Sequence, residues 1–299
     1  MGNHLTLQEL YFSHQGYSSD KWNIYLDVYD RVFKSLKNYP VRLLEIGVQN
    51  GGSLDIWGKY FDQAKIIVGC DINEKCNTLE YLHKPIKVII GNVNDLHTSK
   101  SIKAESTSYD IIIDDGSHTS SDIVTSFWRL FPLLELGGIY VIEDLHCSYW
   151  KEFEGGLHAP LSSMNFFKLL PDILNFEHWG TKQVRTDHIS QFLDNHCHDP
   201  EALLSEIHSI EFINSMCIIK KRSSSSNLLG VRHVVGNRQP IASNSHAHGT
   251  HIGIKPQDLP PAKPQEDLYN DQQYINSLLD KIKQLESKLN SLGKDYSPL

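Results

Sequence analysis

Residues 111–118 read IIIDDGSH, and residues 140–146 read YVIEDLH. Each run is apolar and rich in β-branched or aromatic residues, is too short for a helix, and ends in two acidic residues with a histidine close behind. We therefore predict two buried strands. Ligands of an open parallel sheet bind beyond the carboxyl ends of its strands, where neighbours lie about 4.8 Å apart, so these acids should face one another across a small pocket.

Carboxylates gathered in such a pocket would repel one another. At about 5 Å and an effective dielectric constant of about 20, each like-charged pair costs roughly 3 kcal/mol. A bound cation would offset that repulsion. Hard oxygen ligands without a nearby pair of cysteines favour magnesium or calcium over zinc.

The composition is that of a soluble globular protein with room for one large α/β core: 299 residues, 40% hydrophobic and 21% charged. A net charge of −8 disfavours nucleic acid or an anionic membrane as partner, and a small neutral or sugar-like substrate fits better. The five cysteines are scattered without a CxxC pair, so we predict reduced thiols. Neither a signal peptide nor a long apolar run is evident, and a cytoplasmic location without a membrane span is expected.

Strands and helices alternate through the first half of the chain. Apolar runs predict five strands, at residues 42–48, 65–71, 86–90, 109–114 and 139–143. Helices are predicted after the capping residues Ser19 and Asp20, from about Leu54, over 74–82, and over 121–134 up to Gly137 and Gly138. This order predicts an α/β fold with a doubly wound, mostly parallel sheet and helices on both faces.

The sequence divides into four predicted parts. Residues 1–40 form an N-terminal helical segment, 41–222 the main domain, 223–267 a flexible linker and 268–292 a short coiled coil with leucine and isoleucine at 3,4 spacing. Within the main domain, residues 207–220 predict an antiparallel hairpin at the sheet edge. Residues 151–190, with a helix at 164–170, predict either a lid over the pocket or a helix packed on the sheet edge. The linker histidines His246, His248 and His251 are expected to be solvated.

The loop after the first strand reads EIGVQNGGS over residues 45–53. In a dinucleotide-binding loop the first two glycines are two residues apart, so that a pyrophosphate can sit on the helix N-terminus. Here the glycine after Gly47 is Gly51, which suits a ligand without phosphates. The loop resembles motif I of class I S-adenosylmethionine methyltransferases. The resemblance implies a Rossmann-like methyltransferase fold with cofactor contacts at Glu45, Gly47, Gly51 and Ser53.

Acidic and amide side chains at the next strand ends extend this likeness. Asp71 ends the second strand, where an acid can accept hydrogen bonds from both ribose hydroxyls of the cofactor. Asn92 and Asp95 follow the third strand, at the place where the family contacts adenine.

A narrower resemblance rests on DDGSH and EDLHCSYW after the fourth and fifth strands, DKW near the N-terminus, and the hairpin sequence. Over roughly residues 10–222 these motifs resemble the metal-dependent macrolide sugar O-methyltransferases of the mycinamicin and macrocin type. The likeness implies that Asp115, Glu143 and Asp144 bind a divalent cation and that His118 is the general base. Because consecutive strand residues point to opposite faces, Asp114 should make structural hydrogen bonds on the cofactor side.

One further position completes the candidate site. His146 is expected to support catalysis, as a partner of the acids or a contact to the substrate. The N-terminal DKWNIY motif, residues 20–25, lacks the histidine expected before its tyrosine, Tyr25. The resemblance therefore does not carry a cofactor role over to Tyr25.

Together these residues predict a Mg²⁺-dependent O-methyltransferase that moves a methyl group from S-adenosylmethionine to a hydroxyl of a sugar or glycoside. A homo-oligomer, formed through the coiled coil, is expected. Two alternatives remain open. One is a nicotinamide-dependent oxidoreductase on the same fold, and the other is a non-catalytic assembly protein that works through its coiled coil.

Overall fold

The computed structural model describes residues 5–82, 85–194, 197–257 and 282–283. The chain divides into two compact units, of which the first comprises Met1–His178 and Lys182–Ile254 and contains the whole sheet. The second unit comprises Trp179–Thr181 and Lys255–Leu299. Apart from residues 282–283, the predicted coiled coil lies outside the described residues, and it stays a prediction.

A seven-stranded mixed sheet forms the centre of the first unit, in the order β3-β2-β1-β4-β5-β7-β6. The strands are β1 Arg42–Ile46, β2 Ile66–Asp71, β3 Ile86–Ile90, β4 Tyr109–Asp114, β5 Leu134–Ile142, β6 Ile207–Ile213 and β7 Met216–Lys221. The first five are parallel, and β7 runs antiparallel to both β5 and β6. The predicted parallel sheet with an antiparallel edge hairpin is therefore confirmed.

Eight α-helices surround the sheet among the described residues. They are α1 Leu7–Phe12, α2 Asn23–Phe33, α3 Gly52–Tyr60, α4 Leu96–Glu105, α5 Ser120–Leu130, α6 Ser163–Leu174, α7 Arg185–His188 and α8 Pro200–Ser205. None of the described helices is long and apolar enough to cross a membrane.

Alternating side chains of the strands form a separate core on each face of the sheet. Ile111 and Ile113 share one buried cluster with Tyr29 of α2 and Trp57 of α3. On the opposite face, the Tyr140 ring packs edge-on against Phe127 of α5, with ring centroids 5.7 Å apart, and α6 adds two more buried aromatic rings there. Strands β4 and β5 are thus covered on both faces, as their unbroken apolar sequence predicts.

Three predicted helix boundaries are wrong. Helix 74–82 is only a 3₁₀ turn, Glu74–Thr78, because the chain then becomes extended and brings the Tyr81 hydroxyl to the backbone of Gly51 at 3.3 Å. Helix α5 ends at Leu130 because Pro132 follows, so Gly137 and Gly138 lie inside β5 rather than ending the helix. Helix α2 begins after Trp22 without a side-chain cap, so neither Ser19 nor Asp20 is its N-cap.

Four of the described helices have no counterpart in the prediction: α1, α4, α7 and α8, of which α7 and α8 are only four and six residues long. Helix α4 buries a single large apolar side chain, Ile102, so it has no apolar stripe that could reveal it. Helix α1 is only six residues long, and Leu7 is its one buried residue. Short or mostly solvated helices lack the periodic pattern on which sequence prediction depends.

Candidate active site

The acidic residues meet because the hydrogen-bond ladder of the sheet continues one residue past the strands. Asp114, the last residue of β4, is in register with Ile46 of β1 and Ile142 of β5. Beyond it, the Asp115 N–H donates to the oxygen of Ile46 at 3.0 Å, and the Glu143 N–H donates to the oxygen of Asp114 at 2.9 Å. Asp115 and Glu143 are thereby held side by side at the carboxyl edge of the sheet.

Asp114 and Asp115 point to different sides of this edge, as predicted. Asp114 lines a small cavity with Asp71 and Asn92, whereas Asp115 lines a larger one with His118. Burial raises the pKa of Asp114 to about 7. Hydrogen bonding from the Gly116 backbone and the Tyr140 hydroxyl opposes this rise in pKa, although Oδ2 has no partner with ideal hydrogen-bond geometry among the described residues.

The side chain at the centre of the acidic cluster is Lys21, which the sequence did not reveal as a site residue. Its Nζ lies 2.5 Å from Asp115 Oδ2, 2.7 Å from Glu143 Oε1 and 3.8 Å from Glu45 Oε1, and the side chain is 5% exposed. Burial alone would lower the pKa of Lys21, but Glu143, Asp115 and Glu45 outweigh it and raise the pKa well above its ordinary value. The chain therefore places one of its own cations among the carboxylates.

Glu143 is the most enclosed of the three predicted metal ligands, at 2% exposure. Its Oε1 accepts hydrogen bonds from both Lys21 and the hydroxyl of Tyr29. Burial and the nearby charge of Asp115 raise the pKa of Glu143, against the opposing effect of Lys21. Helix α2, which carries Tyr29, and the segment before it thus fix one oxygen of this carboxylate.

Asp144 is held by aromatic side chains from the same part of the chain. Its Oδ1 accepts hydrogen bonds from Trp22 Nε1 at 3.0 Å and from the Tyr25 hydroxyl at 2.8 Å. Its backbone is left-handed, with φ +53°, a conformation that Asp adopts more readily than most residues. This turn aims the other oxygen, Oδ2, at His118, whose Nε2 is 3.8 Å away.

His118 lies between two of the acids. Its Nε2 is 4.0 Å from Asp115 Oδ1 and 3.8 Å from Asp144 Oδ2, and the side chain is 23% exposed. Two sets of possible metal-binding groups result, each with donor atoms within 4.8 Å of one another: Asp115 with His118 and Asp144, and Asp115 with Glu45 and Glu143. Asp115 belongs to both, so the predicted ligands Glu143 and Asp144 lie on either side of it.

His146 lies on the other side of Asp144 and lines a different cavity, together with Tyr149, Phe212 and Ser215. Its Nδ1 is hydrogen-bonded to the Ser215 hydroxyl and lies 3.9 Å from Asp144 Oδ1. The structure therefore does not bring His118 and His146 into one pocket, although both are close to Asp144.

Asp71 organises the loop between β1 and α3. Its Oδ2 accepts hydrogen bonds from the backbone N–H groups of Val48, at 2.8 Å, and Gln49, at 2.9 Å, and its Oδ1 accepts one from Asn73 at 2.8 Å. The side chain also lines both the small and the larger cavity. Because each carboxylate oxygen has two lone pairs, Oδ1 can still accept a hydrogen bond from a ligand.

The other candidate loop residues divide into two roles. Gly47 and Ser53 line the larger cavity. Glu45 is fully buried, where it accepts hydrogen bonds from Ser53 Oγ at 2.8 Å and from Trp57 Nε1 at 3.3 Å. Burial raises the pKa of Glu45 to about 7. Gly51 lies just before α3 in a left-handed conformation, with φ +85°, and packs against the Tyr81 hydroxyl. Glu45 and Gly51 therefore support the loop rather than line the cavity.

The small and larger cavities measure about 200 and 550 Å³ and adjoin, sharing Gly47, Asp71, Ile72 and Gly116 as lining residues. Together they have the size of a typical small-molecule site, roughly 300–1,000 Å³. Asn92 lines the small cavity, whereas Asp95 lies at the start of α4 and lines a separate one. The structure thus brings Asn92, but not Asp95, together with the loop.

Comparison with known proteins identifies relatives that modify sugars, although no protein-family model matches the chain. The chain is 37% identical over 174 residues to demethylmacrocin O-methyltransferase of Streptomyces fradiae, covering 54% of this chain and 43% of that protein. It is 34% identical over 179 residues to the 8-demethyl-8-alpha-L-rhamnosyl tetracenomycin-C 2'-O-methyltransferase of Streptomyces olivaceus, covering 56% and 46%. It is 41% identical over 134 residues to mycinamicin VI 2''-O-methyltransferase of Micromonospora griseorubida, covering 42% and 33%.

A solved methyltransferase structure is also similar to this chain. The MycE methyltransferase of the mycinamycin pathway, in complex with Mg and SAH, superimposes with a TM-score of 0.60 at 28% identity, covering 74% of this chain and 56% of that one. The chain spans less than half the length of the curated relatives it matches. Over that shared part, the resemblance is confirmed: the chain is homologous to the macrolide and tetracenomycin sugar O-methyltransferases.

Proposed function

We propose that this chain is a Mg²⁺-dependent O-methyltransferase that transfers the methyl group of S-adenosylmethionine to a hydroxyl of a sugar or glycoside. The observation that carries the proposal is that Asp115, Glu143, Asp144 and His118 open into the same cavity as Asp71. The names of the relatives, and the Mg and SAH in the MycE complex, support it.

Asp71 and its loop are the proposed binding site of S-adenosylmethionine. Asp71 would accept the ribose hydroxyls through its remaining lone pairs, and the small cavity beside Asn92 would take the adenine. Gly47 and Ser53, on the wall of the larger cavity, would border the rest of the cofactor. This arrangement would point the methyl group toward the acidic edge of the sheet.

The carboxylates fit a hard divalent cation. Lys21 binds Asp115 Oδ2, while Trp22 and Tyr25 bind Asp144 Oδ1. The opposite oxygens of these two carboxylates, Asp115 Oδ1 and Asp144 Oδ2, face His118. Asp115 and Asp144 would hold Mg²⁺ through these two oxygens, and Glu143, whose Oε1 is held by Lys21 and Tyr29, would contribute its second oxygen. The bound ion would supply positive charge that lowers the pKa of a substrate hydroxyl.

His118 is the proposed general base. Its Nε2 would take the proton of the acceptor hydroxyl as the oxygen attacks the methyl carbon. The bound donor would supply the methyl group, and S-adenosylhomocysteine would leave with the electron pair of the broken C–S bond on its sulfur. The proton acquired by His118 would remain near the carboxylates of Asp115 and Asp144.

Residues 151–190 are proposed to cover the acceptor through the part that precedes α6, because α6 itself packs Phe166 and Phe167 against Phe127 of α5. The Phe153 ring centroid lies 6.5 Å from that of His118, and Glu154 accepts a hydrogen bond from the Ser121 N–H at 3.1 Å. The start of this segment is thus tied to helix α5 beside the base. A homo-oligomer formed through residues 268–292 remains part of the proposal.

The nicotinamide alternative is disfavoured by two features. The dinucleotide fold has a parallel sheet with strands in the order 3-2-1-4-5-6, whereas the antiparallel β7 here lies between β5 and β6. In addition, the Gly52 N–H at the start of α3 donates to the oxygen of Ser18 at 3.2 Å. The chain itself covers the helix terminus that would bind a pyrophosphate.

Calorimetric titration tests the proposal against both alternatives. We expect binding of S-adenosylmethionine and of Mg²⁺ but not of NADH. Binding of NADH without binding of S-adenosylmethionine would favour the oxidoreductase. A folded protein that binds none of the three would favour a non-catalytic assembly role.

A further inference from the structure

The acidic cluster contains a cation supplied by the protein. Lys21 Nζ lies within 4 Å of Asp115, Glu143 and Glu45, at 2.5, 2.7 and 3.8 Å. The interaction spans 94 residues of sequence to Asp115 and 122 residues to Glu143. A contact between such distant parts of the chain is a product of the fold rather than of local sequence.

The position of Lys21 is fixed by the segment that carries it. The oxygen of Ser18 accepts the N–H of Gly52, and the oxygen of Ser19 accepts the hydroxyl of Tyr11 at 2.8 Å. A Cβ atom on Gly52 would overlap the backbone of Tyr17 and Ser18, so glycine is required for this approach. On the other side of Lys21 in the sequence, the indole N–H of Trp22 donates a hydrogen bond to Asp144 Oδ1.

Lys21 binds the acids through one side only. It contacts Oδ2 of Asp115, whereas Oδ1 of the same carboxylate faces His118. It contacts Oε1 of Glu143, the oxygen that also accepts the Tyr29 hydroxyl. The ammonium therefore engages one oxygen of each carboxylate from the wall of the larger cavity, and it makes no hydrogen bond to the second oxygen of Asp115 or of Glu143.

We propose that Lys21 is a built-in counter-ion that holds Asp115 and Glu143 in their metal-binding arrangement when no divalent cation is bound. The inference rests on the proposed function, because it takes these acids as the cation site. Buried carboxylates without a positive partner are strongly destabilising. Lys21 thus acts as a positioning residue, and its charge also limits how tightly the cluster attracts Mg²⁺.

The test replaces Lys21 with Met, which keeps an unbranched apolar chain without charge. A matched control is Lys221→Met, because Lys221 is also buried, at 6% side-chain exposure, and lies 3.1 Å from Glu206 outside the acidic cluster. Mg²⁺ binding is measured by calorimetry without cofactor or acceptor. Thermal unfolding is measured in EDTA and in saturating Mg²⁺.

We expect Lys21→Met to bind Mg²⁺ at least about tenfold more tightly than the wild type, because one opposing charge close to the ion is gone. Mg²⁺ should also raise its melting temperature more than that of the wild type or of Lys221→Met. Lys21→Arg, which keeps the charge, should restore the wild-type behaviour.

Two results would overturn the inference: a folded Lys21→Met protein with unchanged or weaker Mg²⁺ affinity, or one that stays unfolded in saturating Mg²⁺. If Lys21→Met binds Mg²⁺ but the wild type does not, the counter-ion role stands and the metal dependence of the proposed function fails. If neither binds Mg²⁺, both fail.

Discussion

A Cβ atom on Gly47 would overlap the backbone oxygen of Asp115. The loop that borders the proposed cofactor site and the turn that carries a proposed metal ligand are thus in direct backbone contact. Any side chain at position 47 should displace Asp115. The two halves of the site are therefore coupled through a single glycine.

Gly47→Ala should destabilise the fold more than Gly137→Ala. Both glycines have a left-handed backbone, with φ +89° and φ +93°, but only Gly47 has atoms within 4 Å of the added methyl group. The conformational cost, about 1–2 kcal/mol, is common to both variants, and the overlap should add about 1–3 kcal/mol at Gly47. Urea unfolding measures the difference, and equal stabilities would refute the coupling.

Asp71→Asn should weaken S-adenosylmethionine binding by about 1.5–3 kcal/mol, the usual loss for a hydrogen bond to a charged group. Asp62→Asn, an exposed position, is the control. Because Asp71 also holds the loop through Val48 and Gln49, calorimetry is repeated with a cofactor analogue that lacks the ribose hydroxyls. A similar loss for that analogue would show that Asp71 acts only through the loop.

His118→Ala should lower the methyl-transfer rate roughly 10²–10⁴-fold, the range for loss of a general base. Its Mg²⁺ and cofactor affinities should change little, and added imidazole should recover part of the rate. His146→Ala is the matched control, because His146 is also close to Asp144 but lines another cavity. A His118→Ala protein that regains full rate at saturating Mg²⁺ would make His118 a support for the ion.

Cys70 should react with iodoacetamide more slowly than the half-buried Cys197 in the native protein. Burial, with a contribution from Asp71, raises the pKa of Cys70 to about 12, so its labelling should keep rising with pH above the ordinary thiol value of about 8.5. Stability should fall over the same range, because the unfolded chain releases a proton that the folded one keeps. Mass spectrometry measures the rate of Cys70 labelling at each pH. A rate that reaches a plateau near pH 8.5 would contradict the raised pKa of Cys70.

The strand ends could be predicted because buried parallel strands are continuous apolar runs, and the acids that follow β4 and β5 stand out against them. The sequence could also place Asp114 and Asp115 on opposite sides, since that follows from the period of a strand. Lys21 could not be found in this way. It stands in a polar stretch before α2, far along the chain from its partners Asp115 and Glu143.

The remaining differences between the predicted and the observed site arise at elements without hydrophobic periodicity. Asp95 was expected beside the adenine, but it begins α4, a helix without an apolar stripe. His118 and His146 line different cavities on either side of Asp144, whose left-handed backbone redirects the chain after β5. Such single-residue turns leave no signal in hydrophobic periodicity.

The most direct test of the central claim is the transfer of an isotope-labelled methyl group from S-adenosylmethionine to rhamnosyl glycosides with free hydroxyls. The proposal predicts a methylated sugar with Mg²⁺, no product in EDTA, recovery when Mg²⁺ is restored, and little product with Asp144→Asn. Transfer that is equally fast in EDTA, or unaffected by Asp144→Asn, would contradict it.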